Sequence, residues 1–457
     1  MPVTLKIAVD ELIYAANTGF ALTGGLSAAA ANVIDEFGTE ESKALYLEKI
    51  YSGRWSASMC LTEPGAGSAL GSLRTQAVKI DGTADRYKIE GGKIFISMGD
   101  HDLTENIVHL VLAKTPGAPS GTRGISLFIV PKFKVNPDGS LGAHNDVVCT
   151  RIEHKMGIKA SATCQLAFGD NGSCEGILIG KENHGLPYMF RMMNEERIAV
   201  GLQGMALASA AFLYARRYAA ERKQGAHWMR RRDKEADDVA IIEHPDIRRM
   251  LWWMKSHVDG MRALLLTTSY FTDMSYAHPD EDERRRFGGF VELLTPICKA
   301  FCTDRGFDAT ILGIQCLGGY GYTSEYEAEQ FARDAKIGSI YEGTNYIQAQ
   351  DFIGRKVPMN GGQVLMAYLD VIEEDLKKAE ADAELADLAK KVRDAKAETE
   401  RAVVHLAGME KDNELGFQTF LHATDAVSMM GDLCVAHLLT TQASSPHKKL
   451  PPPAALT

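Results

Sequence analysis

One carboxylate in the sequence lies where burial could turn it into a base. Glu342 stands between Tyr341 and Gly343 in the segment RDAKIGSIYEGTNYIQ (Arg333–Gln348), which also carries apolar residues. A carboxylate among apolar groups loses hydration, and this raises its pKa toward the range that suits a general base. The alternative is an acid at a helix N-terminus beside a Thr344–Asn345 cap, which is itself favourable. The segment alone leaves both interpretations open.

Two further segments combine glycine with polar side chains. In MCLTEPGAGS (Met59–Ser68) the small residues let backbone N–H groups approach an anionic or planar ligand, and Thr62 and Ser68 add hydroxyl donors. A turn at the end of a strand would have the same composition. In IQCLGGYGY (Ile314–Tyr322) three glycines and two tyrosines also permit close approach of the backbone, but a helix stop is an equal alternative.

Composition excludes several classes of protein. The chain has 457 residues, and 50 Lys and Arg against 60 Asp and Glu give a net charge of −10. This acidic balance argues against nucleic acid as a partner, because phosphate binding needs excess positive charge. The runs Arg230–Arg232 and Arg284–Arg286 are next to acids and indicate solvated faces. The eight cysteines stand singly except Cys298 and Cys302, so the sequence predicts free thiols in a reducing compartment and no metal site.

The elements that must position these segments follow from periodicity. Helical spacing over 1–54, with a break at 19–25, gives way near Trp55 to short β-branched runs separated by Gly/Asp/Asn turns. The fold class predicted is α+β, with a middle β-sandwich or barrel between helical domains. The predicted domains are 1–54, 55–180, 181–356, a C-terminal helical extension over 357–442 and a disordered tail over 443–457. No strand–helix–strand unit with GxGxxG supports a Rossmann fold.

Two helical regions need a specific interpretation. Pro279–Arg286 reads as a solvated charge cluster, followed by a helix over Phe290–Leu317, and residues 363–440 predict three amphipathic helices. Ile198–Ala215 is apolar but carries Gln203 and small polar residues, which predicts a buried helix and no membrane span. The N-terminal residues show no signal peptide, so a cytoplasmic location is expected.

Five segments in register resemble the acyl-CoA dehydrogenase flavoprotein family over about residues 35–356. They are MCLTEPGAGS, KIFIS (Lys93–Ser97), RKQG (Arg222–Gly225), QCLGGYGY and RDAKIGSIYEGTNYIQ. The C-terminal extension and the wording MMNEERIAVGLQG look most like the longer subgroup that includes 3-methylmercaptopropionyl-CoA dehydrogenases. The resemblance implies fatty acid metabolism: an acyl-CoA is oxidised to the trans-2-enoyl-CoA, with FAD as cofactor and an electron-transfer flavoprotein as acceptor.

The resemblance also assigns roles to residues. Glu342 would be the base that removes the α-proton, and its backbone N–H, with a flavin ribityl hydroxyl, would stabilise the thioester oxygen. The residues expected to contact FAD are Met59, Leu61, Thr62, Ser68, Phe95, Ile96, Ser97, Thr344 and Asn345, and, for the pyrophosphate and adenosine of a neighbouring subunit, Arg222, Gln224, Gln315, Gly318 and Gly319. The residues expected to bind substrate are Ser68, Asn194, Arg197 and Gly343. Sharing FAD across subunits implies a homodimer or homotetramer.

The chain departs from the family pattern at several points. Ala69 stands where the family usually has Asp, Phe95 replaces Trp and Ser97 replaces Thr, and an inserted basic stretch, HWMRRRDKEADD, precedes His244–Pro245. The N-terminal helical domain is expected to be largely missing, with residues 1–54 as its remnant. Three alternatives therefore stay open: an acyl-CoA oxidase, a truncated relative without catalysis, and a flavin-containing relative associated with DNA.

Overall fold

The computed structural model describes residues 1–409 and 415–444. The chain divides into two compact units: the β unit, Asn17–Glu196, and the helical unit, Met1–Ala16 with Arg197–Thr457. The division falls within two helices, α1 (Val3–Phe37) and α3 (Gly185–Glu221). The domain boundaries expected from the sequence, at residues 54, 180 and 356, are not the boundaries of these units and stay predictions.

The β unit contains ten strands and one complete helix. The strands are β1 (Trp55–Cys60), β2 (Gln76–Lys79), β3 (Arg86–Ser97), β4 (Asn106–Lys114), β5 (Ile125–Pro131), β6 (Phe133–Val135), β7 (Leu141–His144), β8 (Val147–Ile152), β9 (Thr163–Phe168) and β10 (Glu175–Leu178). The complete helix is α2 (Glu40–Tyr51), which begins after Thr39 because the Thr39 hydroxyl accepts a hydrogen bond from the Ser42 N–H. Segments of α1 and α3 complete the unit.

Strand pairing closes a barrel. The main sheet runs in the order β1-β4-β5-β10-β3-β9-β8, and β2 pairs with both β3 and β4. Strands β4, β5, β10, β3 and β2 therefore form a closed circuit, which confirms a barrel within the predicted α+β fold. Side chains of Tyr87, Val111 and Phe128 belong to one apolar cluster of this unit. A second cluster packs Leu110 and Leu127 against residues 26–34 of α1, so β4 and β5 are apolar on both faces.

The helical unit is built from long helices. Its elements, with the two helices that it shares with the β unit, are α1 (Val3–Phe37), α3 (Gly185–Glu221), β11 (Lys223–Ala226), β12 (Asp238–Ala240), α4 (Pro245–Ala277), α5 (Glu281–Leu317), α6 (Ala328–Lys336), α7 (Asn345–Asp351), α8 (Gln363–Glu380), α9 (Ala386–Met409), α10 (Gly416–Leu421) and α11 (Ala423–Ser444). Helix α4 packs along α5, and α11 contacts α4, α5, α8 and α9. The buried face of α5 is mostly apolar, with Phe290, Leu293 and Leu294 in the core, but it also includes Lys299.

Several helix boundaries differ from the sequence predictions. The predicted break at residues 19–25 was wrong: α1 continues through them, and the irregular residue is Asn17, with φ −160° and ψ 94°. Helix α5 begins at Glu281, inside the predicted charge cluster, because the Asp280 carboxylate accepts hydrogen bonds from the Asp282 and Glu283 N–H groups. Four described helices, not three, lie between residues 363 and 444.

The ends of two predictions need separate mention. Of the predicted disordered tail, residues 443 and 444 are helical in α11 (Ala423–Ser444), and residues 445–457 lie outside the described residues. Within the described part of the chain, Gly185–Glu221 is the one helix long and apolar enough to cross a membrane, and 72% of its most apolar window is buried inside the structure. Such burial is typical of a core helix.

Candidate functional site

Glu342 occupies a backbone conformation that few side chains adopt. Its φ is 55°, and the next residue, Gly343, has a φ of 83°. Glycine tolerates this left-handed region, whereas a glutamate there carries a conformational cost that the surrounding structure must offset. The chain then enters α7 at Thr344, whose hydroxyl accepts a hydrogen bond of 3.3 Å from the Ile347 N–H. Two consecutive left-handed residues thus link a short turn to a capped helix.

The Glu342 carboxylate has an unusual environment. Its Oε2 atom is buried and has no hydrogen-bond partner among the described residues. Burial raises the pKa of Glu342 to about 7, although the charges of Arg197 and Lys299 act to lower it. A group with this pKa exchanges a proton readily near neutrality, as a general base requires. The burial of this oxygen fits the interpretation as a base, and the Thr344 cap of α7 fits the alternative of an acid near a helix N-terminus, so the role of Glu342 stays a prediction.

Arg197 is one of the two cations near this carboxylate. Its side chain is buried, and its Nη1 lies 3.6 Å from Asp351 Oδ2 in α7. Asp351 also pairs with Arg355, at 2.6 Å. Burial lowers the pKa of Arg197, while Asp351 and Glu342 act to raise it. The structure therefore places Arg197 in the charge balance of Glu342, and its predicted role in substrate binding stays a prediction.

Lys299 is the second cation, and it is not among the residues predicted from the sequence. Its fully buried Nζ donates hydrogen bonds to the Gly343 carbonyl, at 2.7 Å, and to Asn345 Oδ1, at 2.8 Å. Burial lowers the pKa of Lys299 to about 7, against the opposing effect of Glu342. The signal available in the sequence was a single charge within the buried α5 run from Leu293 to Cys302.

Two amides complete the surroundings of the left-handed pair. Gln348 Nε2 donates to the Glu342 carbonyl, at 3.3 Å, and to the Gly343 carbonyl, at 3.4 Å. The hydroxyl of Tyr341 donates to Oε1 of buried Gln203 in α3. The residue before Glu342 and both carbonyls of the left-handed pair are thereby fixed to neighbouring helices.

In the β unit, a buried ion pair holds the MCLTEPGAGS segment. Lys93 Nζ lies 2.8 Å from Glu63 Oε1, and both side chains are buried. Glu63 also accepts hydrogen bonds from the Arg74 N–H, at 2.6 Å, and from the Thr75 hydroxyl, at 2.6 Å. Glu63 and Ala66 exchange backbone hydrogen bonds across a tight turn. Both charged residues belong to segments quoted in the sequence analysis, which assigned them no role.

The predicted flavin residues of the β unit fall into three groups. Met59, Leu61, Thr62 and Ser97 are half-buried, and Ser68 is exposed. Phe95 is 60% exposed, with a φ of 58°, so its ring is presented to solvent. Ile96 is only 2% exposed and belongs to an apolar core cluster, and its contact with the flavin stays a prediction. Asn194 is half-buried in the same unit.

The predicted pyrophosphate residues of the helical unit lie on an exposed surface. Arg222, Gln224, Gln315, Gly318 and Gly319 are all exposed. Arg222 Nη2 donates to Gln224 Oε1, at 3.2 Å, and its guanidinium lies 5.9 Å from the centre of the Tyr320 ring. A Cβ at Gly318 or Gly319 would meet no atom within 4 Å. Asn345, by contrast, is buried, and its amide is held by α5, since Nδ2 donates to Asp304 Oδ1 at 2.7 Å.

Comparison with known proteins gives a consistent result. Residues 58–171 match the acyl-CoA dehydrogenase middle domain, and residues 183–357 match the acyl-CoA dehydrogenase C-terminal domain. Glu342 and its cations lie within the second match.

Whole-chain relatives agree with these domains. A butyryl-CoA dehydrogenase of Syntrophomonas wolfei is 44% identical over 82% of this chain, which spans 62% of that protein. A 3-methylmercaptopropionyl-CoA dehydrogenase of Ruegeria pomeroyi is 43% identical over 89% of this chain and 68% of its own length.

A solved structure described as an electron transferring flavoprotein of Acidaminococcus fermentans contains a similar chain. The TM-score is 0.62 at 29% identity, over 77% of this chain and 82% of that one. The subgroup expected from the sequence is confirmed by the second relative. The two domain matches and this relative show that the chain belongs to the acyl-CoA dehydrogenase family.

Proposed function

We propose that the protein dehydrogenates an acyl-CoA thioester to the trans-2-enoyl-CoA, with FAD as cofactor and an electron-transfer flavoprotein as electron acceptor. The observation that carries this proposal is the buried Oε2 of Glu342, which has no hydrogen-bond partner in the part of the chain that the structure describes. A carboxylate oxygen without a donor is costly in a fold that only has to be stable. It is useful where a proton must be accepted.

Glu342 is the catalytic base in this proposal. Its pKa of about 7 leaves a substantial deprotonated fraction near neutral pH, yet makes it a stronger base than an ordinary glutamate. It takes the proton from the carbon next to the thioester carbonyl. The backbone N–H of Glu342 donates to the thioester oxygen, where negative charge develops. Arg197 and Lys299 limit the rise in the pKa of Glu342.

Each unit, taken by itself, has residues that suit contacts with an FAD. When bound, FAD accepts the hydride from the β-carbon of the substrate. Gly65 and Gly67 have open space where a Cβ would stand, so the backbone of this turn is accessible to a flavin. The exposed Phe95 ring offers an apolar surface to a planar ligand. Exposed Arg222 and Gln224 offer donors to a pyrophosphate, for which a guanidinium is well suited.

Other parts of the proposal rest on simpler observations. The pyrophosphate residues serve the FAD of a neighbouring subunit, so the protein acts as a homodimer or homotetramer. All eight cysteines are free thiols, which fits a cytoplasmic location. Butyryl-CoA and 3-methylmercaptopropionyl-CoA are the substrates to test first, because two relatives are dehydrogenases of these thioesters.

The decisive experiment is an anaerobic titration of the FAD-loaded protein with butyryl-CoA and with 3-methylmercaptopropionyl-CoA, while flavin absorbance is followed. The protein should bleach with at least one of them, and Glu342→Gln should bind FAD but not bleach. Glu292→Gln is the matched control, because Glu292 is an exposed partner of Lys356 in the same unit. Bleaching by Glu342→Gln would refute the assignment of the base.

The same preparation tests the electron acceptor. An electron-transfer flavoprotein should be reduced after substrate is added, with little consumption of oxygen. Rapid oxygen consumption with formation of hydrogen peroxide would instead indicate an acyl-CoA oxidase.

A further inference from the structure

We propose that Lys299 is a positioning residue for Glu342: its ammonium group fixes the backbone that carries the carboxylate, and its charge favours the deprotonated carboxylate. This inference rests on the proposed role of Glu342 as the base. Lys299 belongs to α5, 43 positions before Glu342 along the chain and in a different element.

Lys299 holds the backbone of the turn at Glu342 and Gly343 by hydrogen bonds. Glu342 and Gly343 both have left-handed φ values, and such a pair persists only where neighbouring groups over-determine it. Lys299 Nζ donates to the Gly343 carbonyl at 2.7 Å, the shortest hydrogen bond made to either carbonyl of this pair. Its second bond, to Asn345 Oδ1, fixes the first residue of α7. One ammonium group thus ties both sides of the turn to α5.

Asn345, one of the two hydrogen-bond acceptors of Lys299, is itself fixed by hydrogen bonds to α5. Its Nδ2 donates to the Thr303 hydroxyl, at 3.0 Å, and to Asp304 Oδ1, at 2.7 Å, one turn further along α5. Asn345 therefore presents its Oδ1 to Lys299 in a fixed orientation. A lysine that served only to fill space would not need an acceptor built in this way, because burying an ammonium is costly.

The charges around Glu342 and Lys299 also support a role for Lys299. The charged groups that influence Glu342 are Arg197 from α3 and Lys299 from α5. Those that influence Lys299 are Glu342, Asp304 and Arg197. Arg197 is already neutralised in part by Asp351, at 3.6 Å. Among the described residues, Lys299 donates to the neutral oxygens of Gly343 and Asn345, so in its protonated form no directly bonded carboxylate offsets its charge.

The test is the pH dependence of flavin bleaching in Lys299→Met, measured anaerobically with the acyl-CoA that bleaches the parent protein. Without the ammonium charge the pKa of Glu342 rises, so the acid limb of the rate profile should move up by about one pH unit. The rate on the alkaline plateau should fall by about tenfold as well, because the backbone of Glu342 is released. Lys356→Met, which removes a lysine paired with Glu292 at 2.8 Å, should change neither value.

Lys299→Gln separates the contribution of the charge from that of the hydrogen bonds. It also replaces Lys299→Met in the test if that variant does not fold. Its amide can still donate to an oxygen but carries no charge, so the acid limb should move as in Lys299→Met with a smaller loss on the plateau. An acid limb that stays at its parental pH in a folded variant would overturn the proposal, even if the plateau fell. That result would leave Lys299 as a purely structural residue.

A measurement without FAD distinguishes failure of this inference from failure of the proposed function. Glu342→Gln is compared by urea unfolding in the parent and in the Lys299→Met or Lys299→Gln protein, which forms a double-mutant cycle. The stabilising shift in the unfolding midpoint caused by Glu342→Gln should be larger where Lys299 is absent. Additive shifts would overturn the coupling. If the parent never bleaches but the cycle shows coupling, the proposed function fails and the coupling of Lys299 to Glu342 stands.

Discussion

Lys93 in the β unit and Lys299 in the helical unit are both fully buried, but the pKa values of the carboxylates near them are shifted in opposite directions. Glu63 receives a hydrogen bond from Lys93 and three more from Arg74 and Thr75. Burial alone raises the pKa of Glu63, but the charge of Lys93 and these hydrogen bonds outweigh it, so its pKa lies below the ordinary value. Within residues 1–409 and 415–444 the Oε2 of Glu342 has no donor, and burial raises the pKa of Glu342 to about 7.

This difference in hydrogen-bond donors and pKa distinguishes a carboxylate that stabilises the fold, Glu63, from one that can accept a proton, Glu342. A carboxylate with several donors is stabilised in its ionised form, because each donor favours the charged state. A carboxylate with a free oxygen and a pKa near 7 is a poor anchor and a good base. The same substitution, Glu to Gln, should therefore have opposite effects on stability at the two positions.

The largest expected effect is a loss of stability in Glu63→Gln. This change leaves the Lys93 ammonium buried without its counter-charge, and breaking a buried pair in this way costs about 3–5 kcal/mol. Urea unfolding would measure the loss. Glu105→Gln is the control, because its pair with Arg54, at 3.1 Å, is exposed and contributes about 0–1 kcal/mol. A loss in Glu63→Gln no larger than in this control would remove the contrast between the two carboxylates.

Glu342→Gln should instead increase stability, in a manner that depends on pH. The pKa of Glu342 in the folded protein is about 7, above its ordinary value of 4.5, so folding favours the protonated form. This contribution is fully present below the unfolded pKa and is lost as the pH rises through 7. Gln cannot ionise, so the variant should match the parent near pH 4 and exceed it by about 1–3 kcal/mol near pH 8. A variant less stable than the parent near pH 8 would contradict this prediction.

The α+β fold was predicted from local signals, whereas the role of Glu342 as a base was implied by the family resemblance and stays a prediction. The strands have β-branched runs between turns, and Glu342 lies in a segment whose apolar neighbours indicate burial. Lys299 could not be found in the same way. Its function depends on a contact with Gly343, which is far away along the chain, and a single lysine in an amphipathic helix is typical of a solvated position.

The wrong helix break at residues 19–25 and the burial of Ile96 both show how packing decides what a local motif leaves open. Glycines over residues 19–25 suggested a helix break, but a helix packed on a core tolerates glycine, and the irregular residue is an asparagine. Phe95, Ile96 and Ser97 were grouped by motif, whereas a strand sends neighbouring side chains to opposite faces. Ile96 therefore enters the core while Phe95 is exposed.

The smallest expected effect distinguishes a helix cap from a cofactor contact. Thr39 in the β unit and Thr344 in the helical unit both cap a helix, accepting hydrogen bonds of 3.2 Å from Ser42 and 3.3 Å from Ile347. Replacing either by Ala should cost about 1 kcal/mol of stability in urea unfolding. Only Thr344→Ala should also lower the affinity for FAD, because Thr344 is predicted to contact FAD and Thr39 is not. The expected loss is about threefold to tenfold, since one hydrogen bond contributes about 0.5–1.5 kcal/mol. Fluorescence titration of the FAD-free variants would measure the affinity for FAD. Equal affinity in both variants would show that Thr344, like Thr39, only caps its helix.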